Sequence, residues 1–368
     1  MAHSSLMTQC LILITVGACF TFPTSAQETQ AADSVDHQRR GFEFLPILSY
    51  DTDVGFGYGA KVFLLNRLSL HESFDIVLFH STKGERAYRF VASFPDVELR
   101  QRTSYPCAFD VLVEYDRLIN ANFFGVGNSS LYGARETYAR TFFEISVTTS
   151  RGFTPTFVGQ TLIQYRSVRN SNIDPSGNLG TQGETSMGRA ISIFMGFSLR
   201  YDTRNSAVNP STGTVLLAEG GWAPQWNSGT VSFSRWGFWT QEYVSFHNIV
   251  FAGRVGLQQI GGANLPVQML LPIGGGNTLR GYPQDRYLDR MSVIINLEAR
   301  FMIVWRLGAI VGWDAGKVWR SPDKMDLTSW PNNPTVGLRL IMDNFVARLD
   351  VGFSRETTGL YLNFGHLF

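Results

Sequence analysis

The feature that most constrains this chain is a two-residue alternation that persists over segments too long for ordinary strands. Between positions 291 and 303 the odd residues are Met291, Val293, Ile295, Leu297, Ala299, Phe301 and Ile303, while the even ones include Ser292, Asn296, Glu298 and Arg300. Successive side chains of a strand point to opposite faces, so one face here is apolar and the other polar. The same division recurs over 191–202, 247–258, 307–318 and 345–353. About sixteen such segments of roughly ten or more residues can be marked, close to the length a tilted strand needs to cross a bilayer. They start near Phe42, Val54, Phe74, Arg86, Cys107, Tyr138, Thr156, Gly188, Gly213, Val231, Asn248, Met291, Arg306, Thr335, Asn344 and Thr358. The pattern predicts an all-β chain: a transmembrane antiparallel β-barrel of about 16 strands over residues 42–368.

Connection lengths point the same way. The long ones, 118–136, 170–187, 260–290 and 320–333, follow the fifth, seventh, eleventh and thirteenth segments, whereas Met342-Asp343 and Val304-Trp305 are tight turns after even ones. Outer-membrane barrels put short turns on the periplasmic side and long loops outside. The connection at 206–212, with Asn209-Pro210, is longer than that pattern wants.

Residues 1–26 read as an export signal. An apolar stretch at 11–22 is followed by PTSAQE, whose small residues suit cleavage after Ala26; Val16-Gly17-Ala18-Cys19 offers a lipoprotein-like alternative. Cleavage after Ala26 removes Cys10 and Cys19 and leaves Cys107 without a disulfide partner, so pairing and burial alone must hold the exported chain. Residues 27–41, QETQAADSVDHQRRG, form a short polar periplasmic lead-in. A formal net charge of +1, with 17% charged residues, excludes nucleic acid as a partner, because a polyanion requires clustered Lys and Arg. The partners this reading implies are outer-membrane lipids and lipopolysaccharide. At the other end, continued alternation through TGLYLNFGHLF puts Leu360, Leu362, Phe364, His366 and Phe368 on one face. Phe364, His366 and Phe368 are then expected to be the C-terminal assembly signal of an exported barrel.

One stretch stands out, GGGNTLRGYPQDRYLDR at 274–290. It is not a phosphate-binding loop, since no Lys-Ser or Lys-Thr pair and no amphipathic helix follow the glycines. The run PIGGGNTLRGYPQDRYLDRMSVIINLEARF instead resembles the barrel domain of the BamA/TamA-like outer-membrane assembly factors, the bacterial surface antigen family. The hallmark Arg-Gly-aromatic tripeptide is matched by Arg280, Gly281 and Tyr282. Three further segments are similar: YDTRNSAVNPSTGTVL at 201–216, IVGWDAGKVW at 310–319 and TVGLRLIMDNFVARLDVGFS at 335–354.

The resemblance implies that the long loop (260–290) folds into the lumen. Its arginine would pair with the Asp-x-Gly element of the thirteenth strand, here Asp314 and Gly316, as a latch. Alternation alone also places Asp314 on the inner face, together with Glu298 and Arg300 on the twelfth segment and Arg348 and Asp350 on the fifteenth. A guanidinium forked onto a carboxylate in a partly desolvated lumen makes charge-assisted bonds that suit such a latch. Family members that insert barrel proteins carry POTRA domains before the barrel. Only the short lead-in occupies that place here, so a POTRA-less barrel is expected, with room for a separate periplasmic partner.

The resemblance implies a barrel that assists insertion or translocation of unfolded barrel-protein or lipid clients through a lateral seam between its first and last strands. The alternative is a gated or passive pore with the loop as plug. An enzyme is not expected: His37, His71, His80, His247 and His366 fall in no nucleophile pattern, and neither HExxH nor a Cys–His metal spacing occurs. No cofactor and no metal site is expected.

Overall fold

The computed structural model describes residues 40–182, 188–342 and 345–368. The expected export signal and nearly all of the lead-in lie outside the described residues, as do Asp343 of one expected turn and Asn344, the expected start of the fifteenth segment. Sixteen strands close into an antiparallel barrel. In chain order these are β1 (Gly41–Asp51), β2 (Gly55–Leu65), β3 (Ser73–Ser81), β4 (Arg86–Phe94), β5 (Tyr105–Phe123), β6 (Glu136–Thr154), β7 (Phe157–Ser171), β8 (Gly188–Asp202), β9 (Gly213–Ala223), β10 (Phe233–Phe246) and β11 (Ile249–Gly261). After a short inner hairpin, β12 (Leu271–Ile273) with β13 (Tyr287–Asp289), the wall resumes as β14 (Met291–Val304), β15 (Leu307–Trp319), β16 (Asn332–Ile341), β17 (Val346–Phe353) and β18 (Thr358–Phe364). The twelfth, thirteenth and fifteenth segments of the sequence are therefore β14, β15 and β17.

The alternation is inverted relative to a soluble β-protein. In β14 Ser292, Asn296, Glu298 and Arg300 are buried, whereas Leu297, Phe301 and Ile303 are exposed. Around the wall Phe44, Leu48, Phe197, Phe238, Phe251 and Val311 face outward in the same way, and Glu144, Arg166, Ser198 and Gln258 face the lumen. Apolar side chains turned out and polar ones turned in are what hydrocarbon demands of a closed sheet whose backbone groups pair with one another. Among the described residues no helix is long and apolar enough to cross a membrane.

Two elements depart from the sequence reading. β5 and β6 are each 19 residues long and consume much of the expected loop at 118–136; the pairing shifts register between Leu118 and Ala121, which breaks the alternation just where the strand seemed to stop. The C-terminal face must also be corrected. Gly365 takes a φ of +77°, so the chain leaves the wall after Phe364 and turns inward. Leu367 and Phe368 are buried, His366 bonds Asn209 of the β8–β9 turn, and Phe364 packs against inward-facing Ile47, Val77, Phe79 and Ala87. Phe364, the last residue of β18 and paired with Ala347, keeps the register of Leu360 and Leu362, whereas His366 and Phe368 do not continue that face.

Strand pairing is uneven. β1 pairs with β2 over its full length, from Gly41↔Leu65 to Asp51↔Gly55, but with β18 only at Tyr50↔Leu362 and Asp51↔Tyr361. The Thr52 hydroxyl prolongs that contact, accepting the Leu360 N–H at 2.9 Å. β17 and β18 are also short, at 8 and 7 residues.

If the apolar outer face is the lipid-facing one, a charge should cost most at its middle. Leu297→Arg should lower the unfolding free energy in lipid vesicles by about 2–4 kcal/mol, and Ile303→Arg, near the short-turn rim, by about 0–1 kcal/mol. Urea titration of the two variants checks the depth dependence; equal losses would contradict this placement.

Candidate functional site

The connection between β11 and β14 turns into the barrel because it is apolar on both flanks. Met269 and Leu271 pack with Leu162, Phe194, Phe233 and Ile260 of the wall, and Val267, Leu270 and Leu288 pack with Leu118, Phe123, Tyr138 and Leu179. Burying these side chains against two adjoining stretches of wall, β5–β6 and β7–β11, fixes the loop inside the lumen. The glycine run then makes the tip. Gly274 and Gly275 have φ of +125° and +84°, and the Gly275 N–H donates to the Tyr282 carbonyl at 2.9 Å. Thr278 closes the same turn, its hydroxyl accepting from the Gly274 N–H at 2.7 Å. That narrow turn aims Arg280 at the wall formed by β14, β15 and β17.

Arg280 is fully buried and its guanidinium is forked onto Asp314, with Nε–Oδ2 and Nη2–Oδ1 both at 2.9 Å. Its Nη1 donates to Glu298 Oε1 at 2.6 Å and to Asp350 Oδ2 at 3.2 Å. Burial by itself would favour losing the proton, but Asp314 and then Glu298 outweigh it, so the guanidinium is held well above its usual range. Asp314 is further satisfied by the Arg280 backbone N–H, Asn296 Nδ2 at 2.7 Å, Asn333 Nδ2 at 3.2 Å and Thr335 Oγ1 at 3.2 Å. Completing the lone pairs in this way is what makes a buried ion pair tolerable.

Gly281 is required by close approach: a Cβ there would lie 2.8 Å from Asn333 Cβ and from the Phe353 carbonyl carbon. Tyr282 is buried; its hydroxyl reaches the Asn332 carbonyl at 3.4 Å, and its carbonyl accepts the Tyr361 hydroxyl of β18 at 3.3 Å. Gly316 leaves room for Ile273 and Leu279 of the loop. Arg300 donates to Glu298 Oε2 at 2.8 Å. Arg348 faces the lumen as expected, yet it holds the loop, donating to the Gly276 carbonyl at 3.3 Å and to the Asn277 side-chain Oδ1 at 3.1 Å while lying 3.9 Å from Asp350.

Several participants were not singled out from the sequence. Arg339 on β16 bridges Asp350 and Glu298, and Arg254 on β11 donates to Asn296 Oδ1 at 2.6 Å and to the loop carbonyl of Asn277 at 2.7 Å. The alternation that placed Asp350 would also have placed Arg339, its near neighbour across the sheet. Asn296 and Thr335 carried the same signal as inward polar positions. Among the described residues no group of His, Cys, Asp and Glu side chains could hold a metal ion.

Removing the shared cation strands three buried carboxylates. Arg280→Ala should destabilise the inward loop by about 3–5 kcal/mol, and Arg280→Lys should recover only a minor part because an ammonium cannot fork onto Asp314. Urea unfolding in vesicles, read alongside tryptic cleavage at Arg286, checks both; full recovery by Lys would show that charge alone suffices.

The whole geometry has relatives. No curated protein sequence matches the chain. Among solved structures, BamA from Haemophilus ducreyi lacking POTRA domains 1–3 is similar with a TM-score of 0.68 at 13% identity, over 89% of this chain and 70% of that one. CdiB from Escherichia coli gives 0.59 at 11% identity, over 88% and 67%, and CdiB from Acinetobacter baumannii gives 0.55 at 11%, over 88% and 60%. These likenesses establish a shared barrel fold. The Omp85 superfamily domain matches residues 77–353, which take in most of the barrel wall and the entire Arg280 loop, and the chain therefore belongs to the Omp85 superfamily.

Proposed function

We propose that this barrel acts in the outer membrane of a Gram-negative-type bacterium, assisting the insertion or translocation of protein or lipid clients through the seam between β1 and β18. The observation that carries this reading is the seam itself. Between Gly41 and Ser49, β1 has no strand partner on that side among the described residues, although its other edge is paired throughout. Edge N–H and C=O groups inside a bilayer have no water to satisfy them, so a client strand that pairs with them lowers their cost.

In this reading Arg280 is a latch. The loop ties β14, β15 and β17 through one guanidinium and reaches β18 through Tyr361, so the wall on one side of the seam is braced from within. The β1 side has no such brace from Arg280. Opening would then move β1 and its neighbours against a fixed C-terminal wall.

A pore with the loop as plug is the second reading, favoured by the way Val267, Met269, Leu270 and Leu271 pack along the lumen side of the wall from β5 to β11. The two separate in liposomes. With an unfolded outer-membrane barrel as client, the insertion reading expects faster appearance of protease-protected folded client than in empty liposomes, and loss of that gain in Arg280→Ala. No acceleration, with ion conductance that rises in the variant, would replace insertion with a latched pore.

A further inference from the structure

The residues after β18 do something that neither a strand end nor a free tail requires. From Gly365 they cross the short-turn end of the lumen to β10, β11 and β14, where Phe368 enters a cradle. Its ring lies 5.3 Å from the Arg254 guanidinium carbon and 5.1 Å from that of Arg300, with the Tyr243 ring 6.3 Å away and Ala252 beneath. The backbone is held as well: Arg254 Nη1 donates to the Leu367 carbonyl and Arg300 Nη2 to the Phe368 oxygen, each at 3.2 Å. Midway, His366 Nε2 meets Asn209 Oδ1 at 2.9 Å. Asn209 stands in the β8–β9 connection, whose length exceeds what a simple turn needs; crossing beneath the barrel to the tail accounts for it.

The cradle's two arginines are also loop ligands. Arg254 Nη2 donates to the Asn277 carbonyl at 2.7 Å, and Arg300 Nε shares Glu298 with Arg280. One end of the tail is thus continuous with the seam strand. The other end rests on the side chains that hold the loop tip.

We propose that Tyr243, Ala252, Arg254 and Arg300 form a binding site for an aromatic residue of an extended peptide, filled in cis by Phe368, and that this filling straps β18 to the inward loop. Two cations above an aromatic face attract it through the ring quadrupole, and partial exclusion of water strengthens that attraction. The two carbonyl contacts select a peptide backbone over a bare ring, because each is a charge-assisted bond. While Phe368 occupies the site, Arg300 and Arg254 are held where they support Glu298 and Asn277. Withdrawal of the tail frees the short-turn half of the seam and loosens the loop tip together. The inference rests on the loop acting as a latch, and its test keeps the two separable.

The test reads the rate of tryptic cleavage at Arg286, which is buried while the loop is in place, for protein in liposomes. Phe368→Ala should raise that rate about tenfold, the factor equivalent to losing one partly desolvated contact between a cation and the ring face. Adding the peptide Asn-Phe-Gly-His-Leu-Phe should return the variant to the wild-type rate; a peptide without effect at millimolar concentration would overturn the binding site. In a Cys107→Ser background, Asn209→Cys and His366→Cys are joined by a short bis-methanethiosulfonate linker that dithiothreitol removes. The linked form should be cleaved more slowly than the same protein after reduction, a comparison immune to any folding defect of the variant. Arg280→Ala reports on the latch alone. If it accelerates cleavage while Phe368→Ala and the linked form behave as wild type, the strap is overturned and the latch stands.

Discussion

The placement of the inward loop depends on one guanidinium that has no access to water. Arg280 satisfies three carboxylates on three strands, and each carboxylate is in turn completed by Asn296, Asn333, Thr335, Arg300 or Arg339. Such a group is costly unless every partner is present, because the interior cannot screen what is left over. The loop must therefore arrive at one depth and one angle. Its apolar flanks, its positive-φ glycines and the missing side chain at Gly281 all serve that placement, and the wall answers with Gly352, where a Cβ would meet the Arg280 carbonyl at 2.3 Å.

The consequence is a molecule with two unequal halves. The strands that carry the arginine network are cross-linked through the lumen as well as along the sheet. The strands β1 to β4 are held chiefly by their ladder hydrogen bonds and by small clusters such as Ile47, Val77, Phe79 and Ala87, with the loop reaching this side at Asp53, which accepts the Gln284 N–H at 2.6 Å. Where the halves meet at β1 and β18, the ladder is at its shortest. Stiffness is concentrated beside the weakest join, the distribution that the proposed opening between β1 and β18 requires.

Much of this was legible before any coordinates. Period two alone put Glu298, Arg300, Asp314, Arg348 and Asp350 on the inner face, since a closed barrel offers only two faces and lipid takes the apolar one. What alternation cannot see is where it stops. The shifted pairing near Leu118 hid the true length of β5, and one residue, Gly365, carried His366 and Phe368 off the face of Leu360. The apolar content of the loop, Leu270, Leu271, Ile273 and Leu279, is in plain view, but it follows no strand or helix period that would show which wall it packs against. Networks such as Arg254 with Asn277 depend on where a loop lands, which no local pattern encodes.

The strand lengths also reach beyond the protein. At an axial rise near 3.4 Å and the usual tilt, β5 and β6 make a wall roughly 50 Å tall, whereas β18 makes one of roughly 20 Å, less than the apolar band of about 25 Å that such barrels normally present. Lipid packed against the tall side meets more protein than it needs, and lipid at the seam meets too little. The acyl chains there must thin or tilt to follow the low rim, so the bilayer itself is under mismatch stress at the one place where the barrel is least closed.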